Sequence, residues 1–392
     1  MKTLFNCSYF RTYFCSFLLI IVLISCDRDA VVQNDFPPNP PAPPVNPIEE
    51  DVEEGGADST IITFLHISDT HKSTISILPM VDLLNDCDCD FGIITGDLMV
   101  NESMMDILLD SKKPIFIIPG NHDGYDAPNG QLVFRTQVLD KLQSHEIVNF
   151  GNEGANYYYV DIEKNGKVTR IIGLDQYEVD RVGRGRSNDV VMSQHQVDWF
   201  MKLLQESYDI NGIIVLIHCG FGNHDYGRRN IENRNAFIST LAYDQESYQF
   251  YGSAYPLMIP EIVNAYLTGI NIEGKEYSSG YEGVNIKVNT SFVGEHHNFV
   301  GYFGGHVHWD FCEYLPDYPM QLQILMCYCG TGNGKYNLDC NDIIKTESGD
   351  DSWNINRNVL DYCNKTLNIY RLGAHNLITG GTRDSIQFKI NK

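Results

Sequence analysis

The segment Ile115-Phe116-Ile117-Ile118-Pro119-Gly120-Asn121-His122-Asp123 joins an apolar run to a polar end. The run predicts a short buried strand. The four residues after the proline place an amide, an imidazole and a carboxylate at the tip of that strand, where open α/β sheets carry their chemistry. Taken alone, this tetrad is also compatible with an ordinary surface turn. The neighbouring sequence distinguishes between a surface turn and a functional site.

The same arrangement occurs twice upstream. An apolar run at 61–67 leads into Asp69 and His71, and a second run at 91–95 leads into Asp97. Apolar residues recur with a helical period after each of these two runs. Strands that alternate with helices at this spacing predict parallel βαβ units, whose strand ends meet at one edge of a sheet.

Two further strands downstream end in histidine. The run at 213–217 leads into His218, and the run at 299–303 leads into His306 and His308. Carboxylate, amide and imidazole ligands without a thiolate suit Mn, Fe or Zn. One carboxylate can bridge two such ions about 3.5–4 Å apart. We therefore expect the five strand tips to build a single metal site.

These motifs resemble the calcineurin-like metallophosphoesterase superfamily. Their spacing is most similar to the branch of class III cyclic-nucleotide phosphodiesterases, and the resemblance covers roughly residues 60 to 330. It implies an α/β fold in which two stacked mixed β-sheets are flanked by helices, an αββα sandwich with a dimetal site at the strand ends. Val100 stands where the purple acid phosphatases of this superfamily have a tyrosine ligand, which disfavours that branch.

By position, the resemblance also implies the ligands of two divalent ions (Mn, Fe or Zn). The first ion would take Asp69, His71 and His308, the second would take Asn121, His218 and His306, and Asp97 would bridge them.

The resemblance implies a catalytic role for the last two residues of the tetrad. His122 would donate a proton to the leaving group, and Asp123 would fix the orientation and tautomer of His122. The attacking group would be a hydroxide that bridges the two ions. The expected function is hydrolysis of phosphomonoesters or phosphodiesters. Two alternatives stay open: a hydrolase of lipid-linked or glycan-linked phosphate, and a non-catalytic binding scaffold of the same fold.

The candidates for substrate binding lie in two clusters within an acidic chain. Arg181, Arg184 and Arg186 form the first, and Arg228 and Arg229 form the second. His224 is a separate candidate, which follows His218 closely and could line the pocket. Arginine binds phosphate oxygens bidentately, so either cluster would suit a small phosphate-ester substrate. The alternative for both is a solvated loop whose arginines pair with the abundant carboxylates.

The first 25 residues are typical of a lipoprotein signal peptide, with Lys2 and Arg11 before an apolar run. The run ends in Leu23-Ile24-Ser25-Cys26, which resembles a lipobox and predicts lipidation of Cys26. The alternative is an ordinary signal peptide or a short membrane anchor. Residues 26–58, rich in proline and then in acidic residues, predict a tether. Residues 59–392 form the predicted phosphoesterase domain, with an insert or cap at about 219–292.

This organisation predicts an extracytoplasmic protein, lipid-anchored to a bacterial membrane, with the outer membrane or cell surface favoured. The net charge of −23 argues against a nucleic-acid partner, which needs clustered Lys and Arg. Oligomeric state is not predicted. Among the 11 cysteines, eight follow Cys26, and an even number permits disulfides. Cys219, beside His218, is either a redox liability of the site or a structural residue, which means a buried cysteine or half of a disulfide.

Overall fold

The computed structural model describes residues 60–123, 134–178, 190–221, 257–278, 285–306, 311–315, 317–326, 329, 353–373 and 385–390. All of them belong to one compact unit, Gly55–Lys392. Several predicted features lie outside these residues and stay predictions: the signal peptide, Cys26, the tether, Arg181, Arg184, Arg186, His224, Arg228 and His308. Within the described part of the chain, no helix is both long and apolar enough to cross a bilayer.

The elements in chain order are β1 (Ile61–Ile67), α1 (Ile77–Asp86), β2 (Phe91–Thr95), α2 (Glu102–Leu109), β3 (Ile115–Ile118), a π-helical turn (Arg135–Leu139), a 3₁₀ turn (Gln143–Glu146), β4 (Asn149–Phe150), β5 (Tyr158–Lys164), β6 (Lys167–Gly173), α3 (Gln194–Gln205), β7 (Gly212–Cys219), α4 (Met258–Thr268), β8 (Lys275–Ser278), β9 (Asn285–Val288), β10 (Phe299–Gly305), β11 (Phe311–Leu315), β12 (Tyr318–Leu325), β13 (Asn354–Asp361), β14 (Thr366–Gly373) and β15 (Ser385–Lys389).

The first sheet contains six strands in the order β15-β14-β13-β1-β2-β3. β1, β2 and β3 are parallel neighbours, as the alternation of strand and helix predicts. Helix α1 buries the four residues that carry the helical period, Ile77, Met80, Val81 and Leu84. Because the three strands are parallel, the residues that follow each of them meet at one edge.

The second sheet contains seven strands in the order β11-β12-β10-β7-β6-β5-β4. β6, β7, β10 and β12 form its parallel centre. β5 and β6 form a hairpin, which turns at Asn165 and Gly166, both with positive φ as a type I′ turn requires. The described part of the predicted insert contributes α4 and belongs to the same compact unit.

The two sheets pack face to face through aromatic side chains. Phe64 of the first sheet stacks on Phe91 with ring centroids 4.9 Å apart, and it meets the edge of Phe303 of the second sheet at 5.2 Å. A second core lies behind the second sheet, where Phe200 of α3 and Tyr266 of α4 are buried. Two stacked mixed sheets with helices outside them confirm the predicted fold class. The stacking also brings the ends of β7 and β10 to the same edge as β1, β2 and β3.

Candidate metal centre

The ends of five strands converge on the carboxylate of Asp97. Its Oδ2 atom lies 3.4 Å from Nε2 of His218, 3.5 Å from Nε2 of His71 and 3.9 Å from Nε2 of His122. Two groups of residues could each hold a metal ion, one formed by His71, Asp97 and His122 and the other by Asp97, His218 and His306. Asp97 belongs to both groups, which is the position expected of a bridging ligand.

Asn121 completes the second group. Its Oδ1 atom lies 2.9 Å from Nδ1 of His306 and 3.2 Å from Nε2 of His218, and these two ring nitrogens are 3.1 Å apart. The carboxylate of Asp69 reaches both groups, because its Oδ2 atom accepts a hydrogen bond from the backbone N–H of His306 at 2.8 Å and its Oδ1 atom lies 4.0 Å from Nε2 of His71. Six of the seven predicted ligands therefore lie together, and the seventh is His308, outside the described residues.

The hydrogen bonds of His218 show that the second group fits a cation. Nδ1 of His218 lies 2.7 Å from the carbonyl oxygen of Thr95, which can only accept, so this nitrogen carries the proton. In the neutral ring, Nε2 then directs a lone pair at the oxygens of Asp97 and Asn121, which are themselves acceptors. Only a positive charge among these atoms, a proton or a metal ion, makes the arrangement favourable. A backbone carbonyl behind a histidine is also the usual support of a metal ligand.

The electrostatics of the side chains at this site agree with this fit. Burial opposes the charge on Asp97, but the imidazoles of His218, His122 and His71 outweigh it and hold the pKa of the carboxyl well below its usual value. Burial likewise lowers the pKa of His218, and the carboxylate of Asp97 overcomes this effect and raises that pKa to about 9. The site therefore keeps an ionised carboxylate at its centre although Asp97 is buried.

Four candidate ligands have a backbone conformation that side chains disfavour. Asp69, His71, Asp97 and His306 have φ values of 52°, 44°, 52° and 68°, in the left-handed region. Such residues cluster at functional sites, where the surrounding structure imposes the conformation. The neighbouring strands supply this constraint through the backbone hydrogen bonds from Asp69 N–H to Gly96 and from His71 N–H to Asp97.

The glycine before His306 permits the close approach of two strand tips. A Cβ atom on Gly305 would collide with the Oγ atom of Ser68 and with Oδ2 of Asp69. Gly120 is in the same position relative to Asp97, because its Cβ would meet the carboxylate and the backbone N–H of that residue. The glycines of the motifs therefore make room for carboxylates.

Asp123 binds the backbone of two loops. Its carboxylate accepts hydrogen bonds from the N–H groups of Gly120 at 2.8 Å, Met99 at 2.7 Å and Leu98 at 3.3 Å. It thus fastens the loop that carries Asp97 to the loop that carries Asn121. The proposed role of Asp123 in orienting His122 stays a prediction, as does the role of His122 as a proton donor.

Gln176, which the sequence patterns did not indicate, supports His218 from outside the ligand set. Its Oε1 atom accepts hydrogen bonds from the N–H groups of His218 at 2.8 Å and Cys219 at 2.7 Å, and its Nε2 atom donates to the carbonyl of Cys219 at 3.0 Å. Gln176 is buried and lies three residues beyond the end of β6, the parallel neighbour of β7. The position of Gln176 just after a strand adjacent to β7 could have indicated its role. It could not be used at the level of sequence, because it requires knowing that β6 and β7 are neighbours.

We expect Gln176→Ala to weaken metal binding by about 10- to 100-fold, the usual cost of losing a residue that supports a ligand. Gln176→Glu should retain much of the affinity, because it keeps an oxygen where two N–H groups donate. The measurement is a competition titration of Mn(II) against a chelator.

The matched control for this prediction is Gln323→Ala. Gln323 is also buried, and it binds both backbone groups of Phe221 in the same way at 2.7 and 2.9 Å, and Phe221 is not a candidate ligand. If the Gln323 variant loses as much affinity as the Gln176 variant, the effect is a general loss of stability.

Cys219 is a buried structural thiol. The hydroxyl of Tyr177 donates to its Sγ atom at 3.3 Å, and burial raises the pKa of the thiol far above its usual value. A thiol held in its protonated form is a poor nucleophile. The structure therefore favours the structural interpretation of Cys219, as a free buried thiol and not as half of a disulfide.

Solved structures of several proteins resemble the fold at low identity. A candidate 5′-nucleotidase from Staphylococcus aureus, in complex with alpha-ketoglutarate, is 12% identical, with a TM-score of 0.40 over 83% of this chain and 56% of that one. A 5′-nucleotidase precursor from Thermus thermophilus is 11% identical, with a TM-score of 0.35 over 76% and 51%. Vps29 from Chaetomium thermophilum is 10% identical, with a TM-score of 0.30 over 86% and 100%.

The chain spans about half the length of the first two of these structures. Their identities and TM-scores are too low to support an argument about function, and the sequence matches no curated protein. The family model of the calcineurin-like phosphoesterases, by contrast, matches residues 62–310. This match includes every candidate ligand, and it confirms the family that the motifs predict. The chain belongs to the calcineurin-like phosphoesterase family.

Proposed function

We propose that this protein hydrolyses phosphate esters with two divalent metal ions. The observation that carries the proposal is the place of Asp97 in two potential ligand groups at once. His71 and His122 belong to one of these groups, with Asp69 4.0 Å from His71, and His218 and His306 belong to the other. The ions we expect are Mn, Fe or Zn, because the donors are carboxylate, amide and imidazole groups.

The ions, when bound, supply the positive charge that neutralises the phosphoryl group and activates a water molecule near neutral pH. The side chains position the ligand groups and transfer a proton. The Asp97 carboxylate holds the two ligand groups together, and Asn121 and His218 fix the second group. His122 is 12% exposed and its Nε2 atom lies 3.9 Å from Asp97, so it faces the same space. We assign it the transfer of a proton to the leaving oxygen of the ester.

The substrate we propose is a small phosphomonoester or phosphodiester. Arg181, Arg184, Arg186, His224 and Arg228 remain the candidates for holding its distal part. Hydrolysis of lipid-linked or glycan-linked phosphate is the alternative within the same chemistry. A non-catalytic scaffold is less consistent with the site, because such a scaffold has no need to keep six buried or half-buried ligands and His122 together.

We expect chelation to abolish hydrolysis of an activated aryl phosphate ester such as a nitrophenyl ester. Adding Mn(II) or a similar ion should restore the rate, since the donors suit these metals. The measurement is the rate before chelation, after chelation and after the return of each metal, on a panel of monoesters and diesters. Hydrolysis that is indifferent to the chelator for every ester would contradict the dimetal proposal.

We further propose that the protein is a lipoprotein held outside the cytoplasm through Cys26. The support is the sequence Leu23-Ile24-Ser25-Cys26 after an apolar run. Cys26→Ala should leave the membrane fraction or remain unprocessed, whereas Cys15→Ala, within the apolar run, should behave as the wild type. Fractionation and mass spectrometry of the mature N-terminus measure this. An unmodified mature start at another residue would exclude lipidation of Cys26.

A further inference from the structure

A pair of thiols lies before the beginning of β2, at the opposite end of that strand from Asp97. The segment Cys87-Asp88-Cys89 connects the end of α1 to the beginning of β2, whereas Asp97 follows the end of β2. The Sγ atoms of Cys87 and Cys89 are 2.7 Å apart. This separation is shorter than a non-bonded contact between two sulfur atoms. Neither cysteine takes part in the proposed phosphoesterase site.

The backbone on both sides of the pair is fixed. Cys87 has an extended backbone, with φ −107° and ψ 169°, and its N–H donates to the carbonyl of Leu83. On the other side, Asp90 exchanges backbone and side-chain hydrogen bonds with Thr63, at 2.7 and 2.8 Å. Residues two apart span at most about 7 Å between Cα atoms, close to the range that a disulfide accepts. A bond between the two sulfurs therefore requires little movement of the chain.

The surroundings of the two thiols differ. Cys89 is fully buried in the core, and burial followed by the contact with Cys87 raises the pKa of its thiol to about 12. Cys87 is half-buried, with its inner side packed against the same core. A disulfide has no charge to bury, so it suits this position better than a thiolate would. The more accessible thiol, Cys87, is the one that an external reagent can reach first.

We propose that Cys87 and Cys89 form a reversible dithiol–disulfide site, oxidised by thiol–disulfide exchange with a small-molecule disulfide. The Cys87 thiolate attacks one sulfur of that disulfide, which forms a mixed disulfide and releases one thiol. The Cys89 sulfur, on losing its proton, then attacks the sulfur of Cys87. The bond between Cys87 and Cys89 forms, and the second external thiol leaves. The protein loses two electrons and two protons, and the small-molecule disulfide is reduced to two thiols.

The small size of the ring makes the site reversible. A disulfide between residues two apart closes a very short loop, so it removes little conformational entropy from the unfolded chain. A bond that stabilises the fold so little is reduced more readily than a structural disulfide that closes a long loop. This property distinguishes an exchangeable site from a permanent bridge.

The test uses the full-length, metal-loaded protein in glutathione buffers of defined ratio of reduced to oxidised form. After free thiols are alkylated, trypsin releases residues 73–112, because no Lys or Arg lies between Lys72 and Lys112. This peptide contains Cys87 and Cys89 and no other cysteine. We expect it to be doubly alkylated in reducing buffer. In oxidising buffer it should carry no alkyl group and be lighter than the dithiol by two hydrogen atoms. The fraction of oxidised peptide should pass through one half at an intermediate glutathione ratio.

Three variants sharpen the result. Cys89→Ser should trap a mixed disulfide between glutathione and Cys87, and Cys87→Ser should leave Cys89 largely unmodified while the protein stays folded. Cys363→Ser is the matched control, because it removes an exposed thiol whose sulfur contacts Thr60 rather than another cysteine. It should leave the oxidation of the 73–112 peptide unchanged.

Two outcomes would overturn the proposal. One is a peptide that stays doubly alkylated, or carries glutathione on either cysteine without an internal bond, at every buffer ratio. The other is a disulfide between this peptide and a different one. Hydrolysis of the aryl phosphate ester should be the same for the wild type and Cys87→Ser, which keeps the fate of this proposal separate from that of the phosphoesterase function.

Discussion

Asp97→Ala will bind metal weakly and lose nearly all phosphoesterase activity, whatever the leaving group of the ester. The reason is that the Asp97 carboxylate is common to both ligand groups, and its negative charge interacts favourably with the surrounding imidazoles. Once it is gone, His71 and His218 lose the carboxylate that lies 3.5 and 3.4 Å from their Nε2 atoms. The measurements are metal content by elemental analysis and hydrolysis rates across a series of leaving groups.

Two further variants test whether the loss is specific to the site. Asp97→Asn retains an oxygen that can accept the hydrogen bond from the backbone N–H of His122, which Oδ1 of Asp97 now accepts at 2.8 Å. It should fold like the wild type and still bind metal poorly. Asp90→Ala removes a carboxylate from the other end of the same strand, where it pairs with Lys164, and should keep metal and activity. Full metal content in both Asp97 variants would exclude a bridging role.

His122→Ala will keep its metal and lose a factor of about 10²–10⁴ in rate, the usual contribution of a positioned proton donor. No coordinate bond is lost in this variant if His122 acts only on the leaving group. The loss should shrink for esters with good leaving groups such as nitrophenolate, which depart with little protonation. Rates across the leaving-group series, together with metal content, separate this behaviour from that of Asp97→Ala.

The competing role for His122 is that of a ligand, since it shares a potential metal group with His71 and Asp97. That role would be established instead if His122→Ala lost one metal ion and its loss of hydrolysis rate were the same for every leaving group. The control is His195→Ala on α3, where the imidazole contacts the hydroxyl of Tyr157 at 2.8 Å, outside the site. It should change neither metal content nor the leaving-group dependence.

The sequence was sufficient to place the site on the first sheet. Apolar runs that end in Asp69, Asp97 and Asn121 predict three strand tips, and parallel pairing necessarily brings such tips to one edge. That His218 and His306 join them could be argued only from the type of residue, because β7 and β10 belong to the other sheet. The order of strands across two sheets, and their stacking, depend on contacts between segments far apart in the chain.

Other features of the site were beyond sequence patterns for a physical reason. The hydrogen bonds of Gln176 to His218 and of Asp123 to Met99 join a side chain to the backbone of a different loop. Neither periodicity nor motif spacing records which backbone groups a side chain will meet. The same holds for the sulfurs of Cys87 and Cys89, because their closeness depends on where α1 ends and how β2 begins.

The left-handed backbone at the candidate ligands sets a limit on engineering this protein for heat resistance. Each non-glycine residue in that conformation costs of order 1 kcal/mol of folding free energy. A library selected for melting temperature alone would therefore favour asparagine at Asp69 and Asp97, where an oxygen must still accept the backbone N–H groups of His306 and His122, and glycine or asparagine at His306. Such substitutions would raise stability by removing candidate metal ligands. Any programme of stabilisation has to hold these positions constant and seek its improvements elsewhere in the two sheets.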